Sequence, residues 1–261
     1  MKLSTHADRA ALGRKVAADA AEAIRQALRD RGRITLVVAT GSSQFEVLSE
    51  LAAQPSIPWE RVTIFHLDEY VGLSPDHPAS FRRYLRERFV ERLPARPAAF
   101  HELDGEAEPQ AECRRLAALV PAGPFDVALV GIGENAHLAF NDPPADFETT
   151  DPYIVVALDE PCRRQQVGEG WFATLADVPT RAISMSVRRI LASRTIFCSV
   201  PDRRKAEAVR AAVEGPVTPQ VPASILQRHP DCRLHVDREA AALLQSSRDQ
   251  SSREPAAASR A

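Results

Sequence analysis

ITLVVATGSSQF, residues 34–45, runs from a short apolar stretch into one glycine, three hydroxyl-bearing side chains and the start of a helical pattern. The apolar stretch is too short for a buried helix and is rich in β-branched residues, so it reads as a strand covered on both faces. The same form returns in RVTIFHL (61–67), FDVALV (125–130) and RTIFCSV (194–200). Between these runs the apolar spacing predicts helices over 44–53, 80–92, 109–119, 187–191 and 203–213, with a further amphipathic helix over 6–30 that stops before Gly32. Buried strands alternating with helices imply an α/β fold built on a parallel sheet. There is no internal repeat and no mid-chain linker, so residues 1–245 are expected to form a single domain. The segment 246–261, SSRDQSSREPAAASRA, is small, polar and aperiodic, and reads as a disordered tail.

Composition narrows the function classes. A net charge of -2 and 6% aromatic residues disfavour a nucleic-acid binder and an anionic-membrane binder. No window holds about 18 uncharged apolar residues, so no transmembrane span is expected. The N-terminus lacks an apolar secretory core, which points to a cytoplasmic protein. The four cysteines (Cys113, Cys162, Cys198 and Cys232) are widely spaced and read as reduced, structural thiols. Two residue types are scarce: there are 11 glycines against 20 prolines, and Lys2, Lys15 and Lys205 are the only lysines among 33 basic residues.

Ligands of open α/β sheets bind beyond the carboxyl ends of the strands, and the ends here are unusual. After the first run come Thr40, Gly41, Ser42 and Ser43, which read either as a phosphate cradle at a helix N-terminus or as an ordinary N-cap. After the second come Asp68 and Glu69, badly placed for a structural role and suited to general-base work. His66-x-Asp68 provides only two local donors, so no metal site is expected. After the third comes GIGENAHLAFNDPP (131–144), where Gly131 and Gly133 permit a tight turn and a close ligand approach. Its G-x-G-x-x-A spacing fits a dinucleotide fingerprint loosely, but His137 and Asp142 follow at once as a possible oriented acid/base pair. Lys205 opens the helix pattern at 203–213 as a compact point charge that could close over a bound phosphate. Residues 141–152 and 167–179 read as loops, the latter with Gly168 and Gly170 as hinges if it is a lid.

Together, ATGSS, FHLDEYVGL with HPASF, GIGENAHLAFNDP, and RKAEAVRAAVEGPV followed by VPASILQRHP resemble the glucosamine-6-phosphate deaminase family, within the wider group that includes 6-phosphogluconolactonases. The resemblance runs from the first helix to about Leu244. It implies a modified Rossmann-type three-layer fold with a central, mostly parallel sheet, and neither a nicotinamide cofactor nor a metal. It also implies a small-molecule sugar phosphate as partner, conversion of glucosamine 6-phosphate to fructose 6-phosphate and ammonia, and no nucleic acid or membrane. By the same resemblance Asp68 is the base between C2 and C1, His137 the ring-opening acid/base, and Asp142 the carboxylate that orients it. Asn135 would assist by hydrogen bonding, while Thr40, Gly41, Ser42, Ser43, Gly133 and Lys205 would bind substrate.

The chain departs from the family pattern at Asn135, where many members have Asp, at Ala136, where they have Gly, and at Asp142, where they have Glu. In CRRQQVGEGWF (162–172) Glu169 and Gly170 stand where typical members place a phosphate-binding arginine, with Arg163 or Arg164 as conceivable substitutes. The rival readings are a 6-phosphogluconolactonase, a deaminase of another hexosamine phosphate, and a non-catalytic sugar-phosphate sensor. Homo-oligomerisation is left open by the sequence.

Overall fold

In the computed structural model, which describes residues 1–245, the four apolar runs are strands whose alternate side chains feed two different cores; the segment read as a tail lies outside the described residues. In chain order the elements are β1 (Lys2–His6), α1 (Arg9–Arg31), β2 (Ile34–Val38), α2 (Phe45–Ala52), β3 (Val62–His66), β4 (Asp68–Tyr70), α3 (Phe81–Arg88), β5 (Ala99–His101), α4 (Pro109–Leu119), β6 (Phe125–Val130), β7 (Tyr153–Ala157), α5 (Glu160–Gly168), β8 (Arg181–Met185), α6 (Val187–Leu191), β9 (Ser193–Val200), α7 (Ala206–Glu214) and β10 (Cys232–Asp237). Seven strands form a sheet in the order β1-β10-β9-β6-β2-β3-β5. Every pairing in it is parallel. A second, antiparallel sheet of three strands has the order β4-β8-β7.

The pleat explains the layering, because successive strand residues face opposite sides. Leu36, Val38, Ile64, Val127 and Leu129 pack with α1 and α2, around Val16, Ile24, Leu48 and Leu51. Val37, Phe65, Ala128 and Val130 face the other way, onto α4, α6 and α7 and onto β7 and β8. The result is a three-layer α/β fold. Residue spacing also sets the first helix: its buried face carries Leu12, Val16, Ala20, Ile24 and Leu28, the Asp8 side chain accepts from Ala11 N–H, and Gly32 ends it at φ 73°. That left-handed angle favours glycine.

Four corrections to the sequence reading bear on function. Residues 68–70 are not merely a strand end but form β4 of the second sheet, paired with β8 at Asp68↔Ser184. The stretch read as a loop from Val167 begins inside α5, which continues through Gly168. Beyond it, in place of a plain loop, Trp171 packs with Phe45 and Tyr84, and Phe172 with Tyr70. The small or polar strands β1, β5 and β10 and the antiparallel pair β7 and β8 complete sheets of which only the centre was read. No helix among the described residues is long and apolar enough to cross a membrane, and all four cysteines are free thiols.

Candidate active site

Chain order makes a crevice between β2 and β6. The chain leaves β2 toward β3 and β5 on one side, then crosses back to place β6 on the other, which is the topological switch point where open α/β sheets hold ligands. One pocket lies beyond those strand ends, lined by Thr40, Gly41, Ser42 and Ser43 after β2, by Asp68 after β3, and by Gly131, Gly133, His137 and Phe140 after β6. Lys205 in the turn after β9, Phe81 at the start of α3, Gln165 and Gln166 on α5, and Glu169 just past the end of α5 also line it.

The segment after β2 enters a 3-10 turn, Ser42–Gln44, ahead of α2. Gly41 stands at φ 90°, and neither serine hydroxyl caps this turn or the helix, so the ordinary N-cap reading fails. Buried Gln44 fixes the loop by donating to Ser199 Oγ (2.9 Å) and to the Val130 carbonyl (3.3 Å), which ties together the ends of β2, β6 and β9.

The two carboxylates of β4 are divided by strand alternation. Asp68 faces the pocket, and burial, reinforced by the charge of Glu69, lifts its carboxyl well above the usual range. Glu69 has the structural role denied to it from sequence. It is fully buried and accepts from Tyr70 N–H, Phe81 N–H, Arg82 N–H and the Ser80 hydroxyl at 2.7 to 3.2 Å, capping the start of α3. His66, weighed as a metal ligand, serves the core. Burial and the nearby Arg82 charge push its imidazole down to about 3, and Nδ1 accepts from Leu103 N–H.

The turn after β6 is built to present one imidazole. Gly133 N–H donates to the His137 carbonyl and Ala136 N–H to the Gly133 carbonyl, both at 3.0 Å. Ala136 sits at φ 67°, the left-handed conformation that explains why glycine suits this position. His137 Nδ1 lies 3.0 Å from Asp142 Oδ1. Burial alone would raise the Asp142 carboxyl, but His137, the Asn135 amide and Asp159 N–H together hold it below its ordinary value. No helix follows this turn, so the dinucleotide fingerprint lacks the helix N-terminus it requires.

Asn135 and Asp142 stand behind His137 rather than in the pocket wall. The Asn135 amide donates to Asp142 (3.0 Å) and Asp159 (3.1 Å), while its oxygen accepts from His137 N–H. Asp159 was missed from sequence as a member of this network; it also caps α5 through Cys162 N–H. Among the described residues, the cluster with metal-like proximity is His137, Asp142 and Cys162, ligand atoms within 4.8 Å of one another. Burial, with the adjacent Asp142 and Asp159 carboxylates, pushes the Cys162 thiol up.

Lys205 is the buried cation of the pocket, and burial lowers its ammonium while Glu169 and Glu134 raise it. Neither proposed substitute for the family arginine reaches it. Arg163 is bound to the Leu175 and Val178 carbonyls, and Arg164 pairs with Glu160 on the surface.

The family model for glucosamine-6-phosphate isomerases/6-phosphogluconolactonase matches residues 7–234. The chain belongs to this family. Within it, the chain is 39% identical over 211 residues to a glucosamine-6-phosphate deaminase of Exiguobacterium sibiricum, covering 81% of each chain. It is 33% identical to glucosamine-6-phosphate deaminase 1 of Bacillus subtilis, covering 93% of this chain and 98% of that one. A solved monomeric glucosamine-6-phosphate deaminase superposes with a TM-score of 0.85 at 33% identity, over 93% of this chain and all of that one. The 6-phosphogluconolactonase of Thermotoga maritima shares the fold, with a TM-score of 0.73 at 16% identity and coverage of 90% and 99%.

Proposed function

We propose that the chain is a glucosamine-6-phosphate deaminase that opens the sugar ring, isomerises the aldose and releases ammonia, leaving fructose 6-phosphate. The observation that carries this reading is the placement of Asp68 and an Asp142-backed His137 in the same pocket as the cradle at residues 40–43 and Lys205. With Nδ1 directed at Asp142, Nε2 of His137 is the ring nitrogen left for the substrate. It takes the proton of the anomeric hydroxyl and returns it to the ring oxygen. Asp68, made more basic by its burial, removes the C2 proton and delivers it to C1 through an enolamine. The resulting imine at C2 adds water and expels ammonia. Thr40, Gly41, Ser42, Ser43 and Lys205 hold the 6-phosphate, and Gly133 provides room beside the reacting end. Asn135 acts through Asp142 and the His137 backbone.

The setting that fits this chemistry and the free thiols is the cytoplasm. Purified protein given glucosamine 6-phosphate should release ammonia and fructose 6-phosphate in equal amounts, and Asp68→Asn should abolish both. Acid release from 6-phosphogluconolactone without ammonia from the amino sugar would establish the lactonase reading instead. Ligand-induced stabilisation with no turnover would establish a sensor.

A further inference from the structure

The pocket contains a carboxylate where an anion is meant to bind. Glu169 emerges at the C-terminal end of α5, its side chain only 4% exposed and its Oε1 3.9 Å from Lys205 Nζ. That separation is longer than a charge-assisted hydrogen bond, typically about 2.7–2.9 Å. The bonds to its own segment are shorter: Gln165 Nε2 donates to Oε1 at 2.8 Å and Trp171 Nε1 to Oε2 at 3.2 Å. The carboxylate is therefore fixed by α5 and the following turn, not by the lysine, and Lys205 keeps its donors for a ligand. Trp171 is itself held against Phe45 and Tyr84, so Glu169 has no easy retreat.

The surrounding charges do not relieve it. Arg204 pairs with Glu134 at the rim, and Arg9 is taken by Glu46 and Asp202. Asp68 adds a second acidic group to the pocket wall. A phosphate entering beside Lys205 thus meets one buried ammonium and one buried, hydrogen-bonded neighbour of its own sign. In a desolvated pocket such a pair is screened far less than on the surface.

We propose that Glu169 is a specificity-determining residue that weakens the grip of the pocket on the phosphate group, so that the sugar phosphate binds loosely and the phosphorylated product leaves readily. This rests on the reading of residues 40–43 and Lys205 as the phosphate end. The test is titration of the purified full chain with inorganic phosphate in a calorimeter, using wild type, Glu169→Gln, Glu169→Ala and Lys205→Ala. Both Glu169 variants should bind phosphate about tenfold more tightly, with KM for glucosamine 6-phosphate falling by more than kcat. Structural damage only loosens binding, so a gain separates this role from packing, and circular dichroism identifies any variant that fails to fold.

Unchanged or weaker phosphate binding in a folded Glu169 variant would overturn the proposal, as would phosphate binding that survives Lys205→Ala at full strength. A wild type that releases no ammonia, alongside Glu169 variants that bind phosphate more tightly, would refute the deaminase reading and leave this inference standing.

Discussion

Replacing Gly133 by alanine tests whether catalysis depends on where one imidazole sits. A Cβ on Gly133 would lie 2.3 Å from both Cε1 and Nε2 of His137, whereas ordinary contact begins at 3.4 Å. The ring must therefore retreat by about 1 Å, and a displacement of that size at a reacting group costs about 10²-fold in rate. The same movement stretches the 3.0 Å approach of Nδ1 to Asp142. Gly133 is not in a left-handed conformation, so the alanine backbone is unstrained. Overpacking costs about 1–3 kcal/mol. The reduced freedom of the unfolded chain returns about 0.4–1 kcal/mol. The net is a Tm decrease of at most about 10 °C in a protein of this size. The assay is a coupled measurement of ammonia release under saturating glucosamine 6-phosphate, with His137→Ala as the floor and thermal melting alongside. A variant retaining wild-type kcat within about threefold would refute the reasoning, as would a loss that tracks unfolding at the assay temperature.

Glu69→Ala removes a buried acceptor from three donors at the start of α3 and from Tyr70 N–H on β4. A loss of about 3 kcal/mol follows from the unsatisfied groups. Melting should fall by about 6–12 °C, and an unchanged Tm would show the cap to be dispensable. Asp68→Asn should be inactive yet more stable than wild type at pH 8. The folded-state carboxyl titrates above its unfolded value of 3.8, so its contribution is fully present below that pH and is lost as pH rises through the folded value. The gap in Tm between the two proteins should therefore close near pH 4; a wild type that is the more stable at pH 8 would contradict the burial argument. For the same reason the acidic limb of kcat/KM should lie well above the ordinary aspartate range, and a midpoint near 4 would remove Asp68 as the titrating base. Lys205→Ala should raise KM for the phosphorylated sugar at least about tenfold, read from initial rates.

The centre of the fold was legible because β2, β3, β6 and β9 are buried on both faces and therefore read as plain apolar runs. β10 was not, because buried His235 and Asp237 interrupt its pattern, and β1 is an exposed edge with no apolar pattern. α5 was hidden by its glutamines and terminal glycine, although Asp159 before Glu160-Pro161 is an N-cap signal that could have been read. The pocket residues after the strands were found by position and chemistry alone. Three features required coordinates: the parting of Asp68 from Glu69, the buried amide of Asn135 behind His137, and the carboxylate of Glu169 beside Lys205. Each depends on which way a side chain faces, and a short polar stretch leaves that undetermined.

The crossing of the chain at β2 and β6 has a consequence for how the molecule opens. The pocket is assembled from six segments of the chain, around residues 40, 68, 81, 133, 169 and 205, carried by the strand ends, by α3 and by α5. Any partial opening that peels away one of the central strands takes a wall with it, so a bound sugar phosphate is compatible only with the fully closed molecule. Saturating ligand should then slow amide hydrogen exchange across β2, β3, β6 and β9 together by a common factor, while the exposed edge strand β1 exchanges as before.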